Sequence, residues 1–252
     1  MSYHDRHECK FVIGEDTAAR LLKRVAPFIT PDPHAAKSPT HSYTIASLYL
    51  DDDLHALYRE TLGGLPYRYK LRVRSYSDAP TTPIFLEVKR RHDRVVQKMR
   101  CPIDRRHLPA LLQGELDDLP ELSAQKRASL REFLRLQQLR QAKPQLIVRY
   151  ERQAYVGRDD DEIRVTFDRR LAALPMRAPT VRLHDERYET LKQAGVVLEL
   201  KFTDRCPPWM LDAVRACELR RTSFSKYCTS VDGLHELGLH EPGLPEPGSV
   251  DA

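Results

Sequence analysis

Charged side chains recur at every second position in several short segments of this 252-residue chain. Residues i, i+2 and i+4 of a β-strand share one face, so Lys70, Arg72 and Arg74 lie together while Leu71 and Val73 lie on the opposite side. The pattern Glu-x-Lys also occurs at residues 8/10, 87/89 and 199/201. Arginine pairs with phosphate oxygens through two parallel hydrogen bonds, and lysine acts as a mobile point charge. These strands therefore predict a surface that binds a linear phosphate polyanion.

The place of these charged faces in the fold has two interpretations. For one strand, an antiparallel sheet with one solvated face explains the alternation. Seven strands repeat it, however, and the helices between them have apolar faces that need a sheet to cover. Both facts are satisfied if the sheet closes into a barrel whose apolar face lies outward under the helices. We therefore predict an α+β fold, an antiparallel eight-stranded β-barrel tunnel with a charged lumen and helices packed outside.

Local sequence patterns supply the elements of this barrel. Period-2 segments predict strands at residues 8–13, 43–51, 67–76, 84–91, 95–103, 145–156, 162–169 and 196–203. Helical spacing predicts a helix capped by Asp16, a second from about Asp53 to Gly63, a third over residues 123–141 and a last one that begins at Pro207. We expect a single domain over residues 1–234 with a helical insert at about 105–143. Residues 235–252, rich in Pro and Gly, are expected to form a disordered tail.

Composition limits the class of protein. The formal net charge of +5 is a mild excess and does not by itself indicate nucleic acid or membrane. No stretch approaches eighteen apolar residues, and five scattered cysteines without a CxxC pair or a secretory signal are typical of a reducing compartment. We expect a cytoplasmic protein with no membrane segment of its own, so any membrane role would need a partner. The sequence carries no signal for the oligomeric state.

A charged lumen also favours one ligand class over others. Two cations about 6 Å apart repel by roughly 3 kcal/mol at an effective dielectric near 20, so a bound polyanion would relieve a large repulsion. A linear phosphate chain suits the lumen better than nucleic acid, because a closed tunnel excludes a duplex and aromatics interleaved for base stacking are not evident. The ten histidines show no HExxH or paired spacing, which argues against a zinc site.

Nine short motifs, taken in order, carry a resemblance to a known family. They are residues 6–10 (RHECK), 47–51 (SLYLD), 70–74 (KLRVR), 85–89 (FLEVK), 98–100 (KMR), 150–152 (YER), 164–168 (RVTFD), 198–201 (LELK) and 223–227 (SFSKY). Each motif is weak alone, but their order over roughly residues 6 to 230 is specific. The chain resembles the polyphosphate polymerase domain of the vacuolar transporter chaperone (VTC) type, a branch of the triphosphate tunnel metalloenzyme (CYTH-like) superfamily.

The resemblance implies an activity. In the family, ATP enters the tunnel, its γ-phosphoryl group moves to a growing inorganic polyphosphate chain, and ADP is released. The first strand of the wider superfamily carries the motif Glu-x-Glu-x-Lys. This chain has Arg6 at the first position of that motif, which is similar to the VTC branch. One metal-binding carboxylate is therefore missing, which favours a polymerase over a hydrolase. The family's phosphate-sensing domain and membrane helices are not expected here, as in its free-standing members.

The resemblance also implies roles for individual residues. The side chains expected to hold phosphates during catalysis are Lys10, Arg72, Arg74, Lys89, Lys98, Arg149, Arg164, Lys201 and Lys226. Further contacts to the substrate are expected from Lys70, Arg152, Ser225 and Tyr49. Glu199 is the first candidate ligand for Mn²⁺ or Mg²⁺, with Glu8 or Glu87 helping, because both ions prefer hard oxygen donors.

Three other functions stay open from the sequence. The same tunnel could belong to a tripolyphosphatase or nucleoside triphosphatase, which would release free phosphate instead of long chains. It could also be a non-catalytic module that binds polyphosphate without turnover. A nucleic-acid binder with a basic sheet would bind oligonucleotides that polyphosphate does not displace. The expected partners are ATP and inorganic polyphosphate, and no nucleic acid is expected.

Overall fold

The computed structural model describes residues 6–92, 95–115, 121–192 and 195–239, and residue 6 is described by its backbone alone. The fold is α+β, as predicted. The strands are β1 (Arg6–Ile13), β2 (Ile29–Pro31), β3 (Ser42–Asp51), β4 (Tyr67–Ser75), β5 (Ile84–His92), β6 (Val95–Ile103), β7 (Lys143–Gly157), β8 (Arg164–Pro175), β9 (Glu189–Thr190) and β10 (Val196–Thr203). The eight long strands match the eight predicted ones, and β8 continues six residues beyond its predicted end.

The helices are α1 (Glu15–Val25), α2 (Ala56–Leu62), α3 (Leu108–Gln113), α4 (Ala124–Leu139), α5 (Pro208–Ala216) and α6 (Lys226–Glu236). The predicted cap of α1 is wrong: Gly14 is the N-cap, and Asp16 lies inside the first turn. At α2, Asp51 accepts hydrogen bonds from the backbone N–H groups of Leu57 and Tyr58, at 2.9 Å each. A buried carboxylate from the end of β3 thus satisfies the free amides of this helix start.

One antiparallel sheet contains all the long strands, in the order β1-β10-β8-β7-β3-β4-β5-β6. In the described part of the chain no backbone ladder joins the edge strands β1 and β6, so closure into a complete barrel is not observed. The sheet nevertheless curls until side chains meet across the gap: Lys89 Nζ of β5 lies 3.0 Å from Glu8 Oε2 of β1. Twist accumulated over many strands produces this curl.

The apolar face of the sheet lies under the helices, as predicted. Leu71, Val73 and Leu86 pack with Leu130 and Phe133 of α4 in one buried cluster. A second cluster joins α1 and α5 to β1, β8 and β10 through residues such as Leu21, Met210, Phe11, Val165 and Leu198. Alternation of apolar and charged residues places the charged side chains on the inner face.

Helix α6 departs from the prediction of helices outside the sheet. It packs on the inner face with Val148 and Ala173, in a third apolar cluster. Gly233 allows this close approach, because a Cβ there would lie 2.8 Å from Leu191 Cδ2. The sequence patterns did not predict this helix. Residues 235 and 236, expected in the disordered tail, end α6, and residues 240–252 lie outside the described residues.

A β-bulge in β8 changes which residues face inward. Between the pairs Arg149–Ala172 and Glu151–Arg169, two residues of β8 lie opposite the single residue Tyr150. Arg170 has a left-handed backbone conformation with φ of 53° and is exposed at the surface. An extra residue in one strand shifts the side-chain alternation by one position.

Candidate functional site

A cavity of about 770 Å³ lies on the inner face of the curled sheet. Among the described residues, eleven lysines and arginines and three carboxylates line it. The basic residues are Lys10, Lys70, Arg72, Arg74, Lys89, Lys98, Arg100, Arg152, Arg164, Lys201 and Lys226, and the acidic ones are Glu8, Asp32 and Glu199. Such an excess of positive charge in a concave site concentrates anionic ligands.

Strands β4, β5 and β6 form one side of the cavity, which we call the basic wall: Arg72, Arg74, Glu87, Lys98 and Arg100. Glu87 lies at its centre, fully buried, and does not line the cavity. Its carboxylate oxygens lie 2.7 Å from both Arg72 Nη2 and Lys98 Nζ, 3.3 Å from Arg100 Nε and 3.8 Å from Arg74 Nε. One carboxylate, buried on the side of these cations away from the cavity, thus contacts all four of them.

Charge and burial compete at Glu87, and charge prevails. Burial alone would raise the pKa of this carboxyl, but Arg74, Arg72 and Lys98 hold the pKa far below its usual range. Glu87 therefore stays ionised and pairs with the basic side chains around it.

The opposite side is the carboxylate wall, formed by Glu8 of β1, Glu199 of β10 and Asp168 of β8. Arg152 binds Asp168 through two bonds of 2.7 Å and reaches Glu199 Oε2 at 3.3 Å. Lys226 lies 2.6 Å from Asp168 and 3.1 Å from Glu199. Burial would raise the pKa of Glu199, yet its neighbours Lys201, Lys226 and Arg152 lower it well below the ordinary value. The carboxylates of this wall share their cations.

The carboxylate wall has the donors that a hard divalent cation prefers. Within the described residues no three His, Cys, Asp or Glu side chains form a complete metal cage. Glu199 and Glu8 line the cavity, however, and Lys10 Nζ lies within 4.0 Å of both. Thr166 is paired with Glu199 in the sheet, and its buried Oγ1 has no hydrogen-bond partner among the described residues. Mg²⁺ is commonly bound by one or two carboxylates plus substrate phosphates, so Glu199, Glu8 and Thr166 fit such an ion.

Three lysines of the cavity are poised near neutrality. Burial lowers the pKa of Lys70 to about 7 and that of Lys98 to about 7, the latter against the opposing pull of Glu87. Burial likewise lowers the pKa of Lys89 to about 8, although Glu8 favours its charged form. Lys70 donates to Ser225 Oγ at 2.7 Å, a neutral group that does little to hold the proton. A bound anion would restore the charge on these side chains.

The segment before α6 crosses the inner face and contacts several strands. Lys10 Nζ of β1 donates to the Phe224 carbonyl at 2.7 Å, and Ser225 lies next to Lys70 of β4. Ser225 also caps α6 by accepting from the Cys228 N–H at 3.2 Å. Behind it, the Tyr227 hydroxyl donates to Asp51 at 2.8 Å and its ring stacks on Tyr49. These bonds fix Ser225 and Lys226 at the cavity.

A comparison with protein-family models identifies the family of this chain. The model of the VTC domain matches residues 5–235, almost the whole chain. The chain belongs to the VTC domain family. The predicted resemblance is therefore confirmed. A comparison with curated proteins found no match.

Two solved structures are similar to this VTC domain. One is a putative adenylate cyclase from Bacillus halodurans, with 10% identity, coverage of 88% of this chain and 94% of that chain, and a TM-score of 0.48. The other is a putative adenylate cyclase from Vibrio parahaemolyticus, with 11% identity, coverage of 90% and 98%, and a TM-score of 0.44. In the described parts of the VTC domain, every helix is too short or too polar to cross a membrane.

Most of the predicted site residues of the VTC domain meet at the cavity. Those that line it are Lys10, Arg72, Arg74, Lys89, Lys98, Arg164, Lys201, Lys226, Lys70, Arg152, Ser225, Tyr49, Glu199 and Glu8. Their functional roles stay predictions. Glu87, the other predicted metal ligand, lies fully buried behind the lining and pairs with cations there.

The placement of Arg149 in the lumen is corrected. Arg149 and Arg152 are three residues apart in β7, and residues of opposite parity face opposite sides of a strand. Arg152 lines the cavity, whereas Arg149 lies over the Tyr188 ring at 4.1 Å on the other face and donates to the Leu183 carbonyl at 3.2 Å. The odd spacing of the two residues alone shows that only one of them can face the cavity.

Sequence reasoning missed an aromatic group at the edge of the cavity. We call it the aromatic rim: His34, Tyr43, Tyr76 and Phe85, which all line the cavity. The rings come from a loop, β3, the residue after β4 and the start of β5, so no single segment shows a stacking motif. Asp168 was also missed as a member of the site, although its inward face was predicted.

Proposed function

We propose that this VTC domain transfers the γ-phosphoryl group of ATP to a growing chain of inorganic polyphosphate. The observation that carries the proposal is the excess of eleven cations over three carboxylates along one cavity. A linear polyanion matches this row of charges better than a compact substrate does. Polyphosphate is both acceptor and product, so it must lie along the same row as the triphosphate.

The chemistry of phosphoryl transfer requires little more than this cavity offers. The attacking oxygen of a phosphate chain is already anionic, so alignment and charge neutralisation matter more than a strong base. The basic wall would hold the triphosphate, because Glu87 fixes Arg72 and Arg74 in a geometry that needs no rearrangement. Lys226 and Arg152, on the far side, would neutralise the charge that develops on the transferred group. Among the described lining residues the only imidazole is His34, at the rim.

A divalent ion, Mn²⁺ or Mg²⁺, belongs to the same proposal. Bound to phosphate oxygens, such an ion would supply further charge neutralisation. Glu199 is the proposed principal ligand, supported by Glu8 and by the unpaired hydroxyl of Thr166. Glu87 is left out because it is fully buried behind the cavity lining, whereas Glu199 and Glu8 line the cavity.

We also propose that the gap between β1 and β6 closes when the cavity is filled, which would complete the barrel. The Lys89–Glu8 contact already spans this gap at 3.0 Å. A ligand that neutralises Lys10 and Lys89 would remove the repulsion between two neighbouring cations on opposite sides of it.

The test is an elongation assay. The purified protein is incubated with ATP, Mn²⁺ and a short phosphate primer, and ADP, free phosphate and chain length are resolved on a gel. Long chains with matching ADP are the expected result. Free phosphate without elongation would assign the cavity to a triphosphatase, and binding without turnover would leave a polyphosphate-binding module. Omission of the metal and replacement of Mn²⁺ by Mg²⁺ identify the metal requirement.

A further inference from the structure

We propose that the aromatic rim binds the base of a nucleoside triphosphate and thereby selects nucleotides over inorganic tripolyphosphate. This inference rests on the proposed function only in that the triphosphate enters the cavity from the rim. His34 lies 4.4 Å from Tyr43 and 5.5 Å from Tyr76 between ring centroids, and Tyr76 lies 5.8 Å from Phe85. Four rings from distant segments thus form one continuous group.

The orientation of the rings leaves faces free for a flat ligand. The interplanar angles are 85° for His34–Tyr43, 60° for His34–Tyr76 and 73° for Tyr76–Phe85. No pair within the rim is stacked in parallel, so these rings do not cover one another as they would in a filled stack. Stacking of a base on an aromatic side chain tolerates any base, because every base has a π-face.

The rim keeps aromatic surface open to the cavity, although Tyr43 and Tyr76 also pack in part against the third apolar cluster. His34 is exposed and Tyr43, Tyr76 and Phe85 are half-buried, although all four line the cavity. Aromatic surface that faces a charged, solvated cavity gains little from burial and is available to an apolar partner. Arg100 covers one face of Phe85, with its guanidinium carbon 3.5 Å from the ring centroid, and lies 5.5 Å from the centroid of Tyr76, which adds a cation beside the rings.

The distance from the rim to the phosphate-binding side chains suits a nucleotide. Tyr76 follows Arg74 by two residues, just beyond the end of β4, and Phe85 is paired with Arg74 in the sheet. Inward-facing residues of one strand are about 6.6 Å apart. A base at the rim would therefore place the first phosphates near Arg74 and Arg100 and the later ones near Arg72, deeper in the cavity. Thr82 at the rim offers a hydroxyl for hydrogen bonding to the base or ribose.

The test compares two ligands that share a triphosphate and differ in the base. Affinities for the non-hydrolysable β,γ-imido analogue of ATP and for inorganic tripolyphosphate are measured by calorimetry in the full chain. The variants are Tyr76→Leu and His34→Ala. Tyr67→Leu is the matched control, because Tyr67 is an exposed tyrosine at the opposite end of β4 and does not line the cavity.

We expect Tyr76→Leu to weaken binding of the ATP analogue by about tenfold, the effect of losing one stacked base contact. Binding of tripolyphosphate should change by less than about twofold, and Tyr67→Leu should change neither affinity. Equal loss for both ligands, or unchanged affinity for the ATP analogue in both rim variants, would overturn the proposal. If Tyr76→Leu does not fold, His34→Ala decides, because its side chain is exposed and its removal leaves the core intact.

The outcome is independent of whether chains grow. Wild-type protein that favours the ATP analogue through the rim but elongates no primer would refute the polymerase and leave base binding standing. Protein that elongates primers yet binds both ligands equally in every variant would do the reverse.

Discussion

The two walls of the cavity differ in how their carboxylates neutralise clustered lysines and arginines. In the basic wall four cations surround one fully buried carboxylate, Glu87, which contacts no cavity space. In the carboxylate wall Glu8 and Glu199 line the cavity, and three cations, Lys10, Arg152 and Lys226, each contact two carboxylates.

The two kinds of carboxylate differ in what they can contribute to the site. A buried acid that organises cations serves the fold and the fixed geometry of a binding surface, because its loss leaves several charges without a partner. Acids that face the cavity can be reached by a bound ligand, which the proposed metal site requires. The same Glu-x-Lys pattern in the sequence therefore has two meanings, depending on whether the carboxylate is behind or within the lining.

The largest expected effect is on turnover, at Glu199. Glu199→Gln should reduce ADP release by at least about 100-fold, a typical cost of losing one transition-state contact, while polyphosphate still binds. Affinity should be kept because the substitution removes a negative charge from the cavity. Turnover and binding are measured by ADP assay and calorimetry. The control is Glu162→Gln, an exposed loop residue outside the cavity; turnover near the wild-type value in Glu199→Gln would remove Glu199 from the mechanism.

The next effect is on stability, at Glu87. Glu87→Gln should lower the free energy of unfolding by about 3–5 kcal/mol, the usual cost of removing one partner from a buried ion pair. Glu199→Gln should cost less, because Lys226 and Arg152 keep Asp168, Lys10 keeps Glu8, and Lys201 alone loses its described ion pair. Urea denaturation of both variants measures the difference. A larger loss in Glu199→Gln than in Glu87→Gln would contradict the contrast between the walls.

The third effect is proton uptake on binding. Lys70 and Lys98 have pKa values of about 7 and Lys89 of about 8 in the free protein, and a bound phosphate chain raises them. At pH 8 binding should therefore take up about one proton or more, and affinity should fall as the pH rises from about 7 to 9. Calorimetry in two buffers with different ionisation enthalpies measures the uptake. Lys70→Gln should reduce it, and an uptake of zero in the wild type would show that these lysines are already charged.

The smallest effect tests the two faces of β7. Arg149→Ala should leave polyphosphate affinity unchanged and cost about 1 kcal/mol of stability, since Arg149 loses its contact with the Tyr188 ring and one hydrogen bond. Arg152→Ala, three residues away, should weaken binding because it removes a cavity cation and frees Asp168. Both variants are compared by polyphosphate titration and thermal unfolding. A loss of affinity in Arg149→Ala similar to that of Arg152→Ala would contradict the assignment of the two faces.

The strands and their inner faces were predictable because the alternation is written directly in the sequence. In β4, Lys70, Arg72 and Arg74 face the cavity while Leu71 and Val73 are buried under helix α4, as the pattern requires. Every long strand was located within a few residues except at the far end of β8, where the bulge interrupts the alternation.

What the pattern could not provide depends on contacts between distant segments. Helix α6 has an apolar stripe of Tyr227, Val231 and Leu234, but its polar residues Lys226 and Asp232 bond to buried partners from other elements. The position of this helix on the inner face depends on those distant partners. The charge pairing of buried Glu87 in β5 depends on four cations from the two neighbouring strands β4 and β6, which no local window contains. The aromatic rim is likewise assembled from four separate places in the chain.

The single-residue bulge at Arg170 determines where the hydrated part of the interior ends. A regular strand would continue the series Arg164, Thr166 and Asp168 with Arg170 and would extend the cationic lining by one more step. The left-handed residue instead turns Arg170 outward, where it lies 3.2 Å from Glu151, and Leu171 and Ala173 take the inner positions against α6. Deletion of this one residue would reverse the inward and outward assignment of every later position in β8. The boundary between the charged and the apolar part of the inner face therefore depends on which β8 side chains the bulge turns inward. Residue composition alone does not define it.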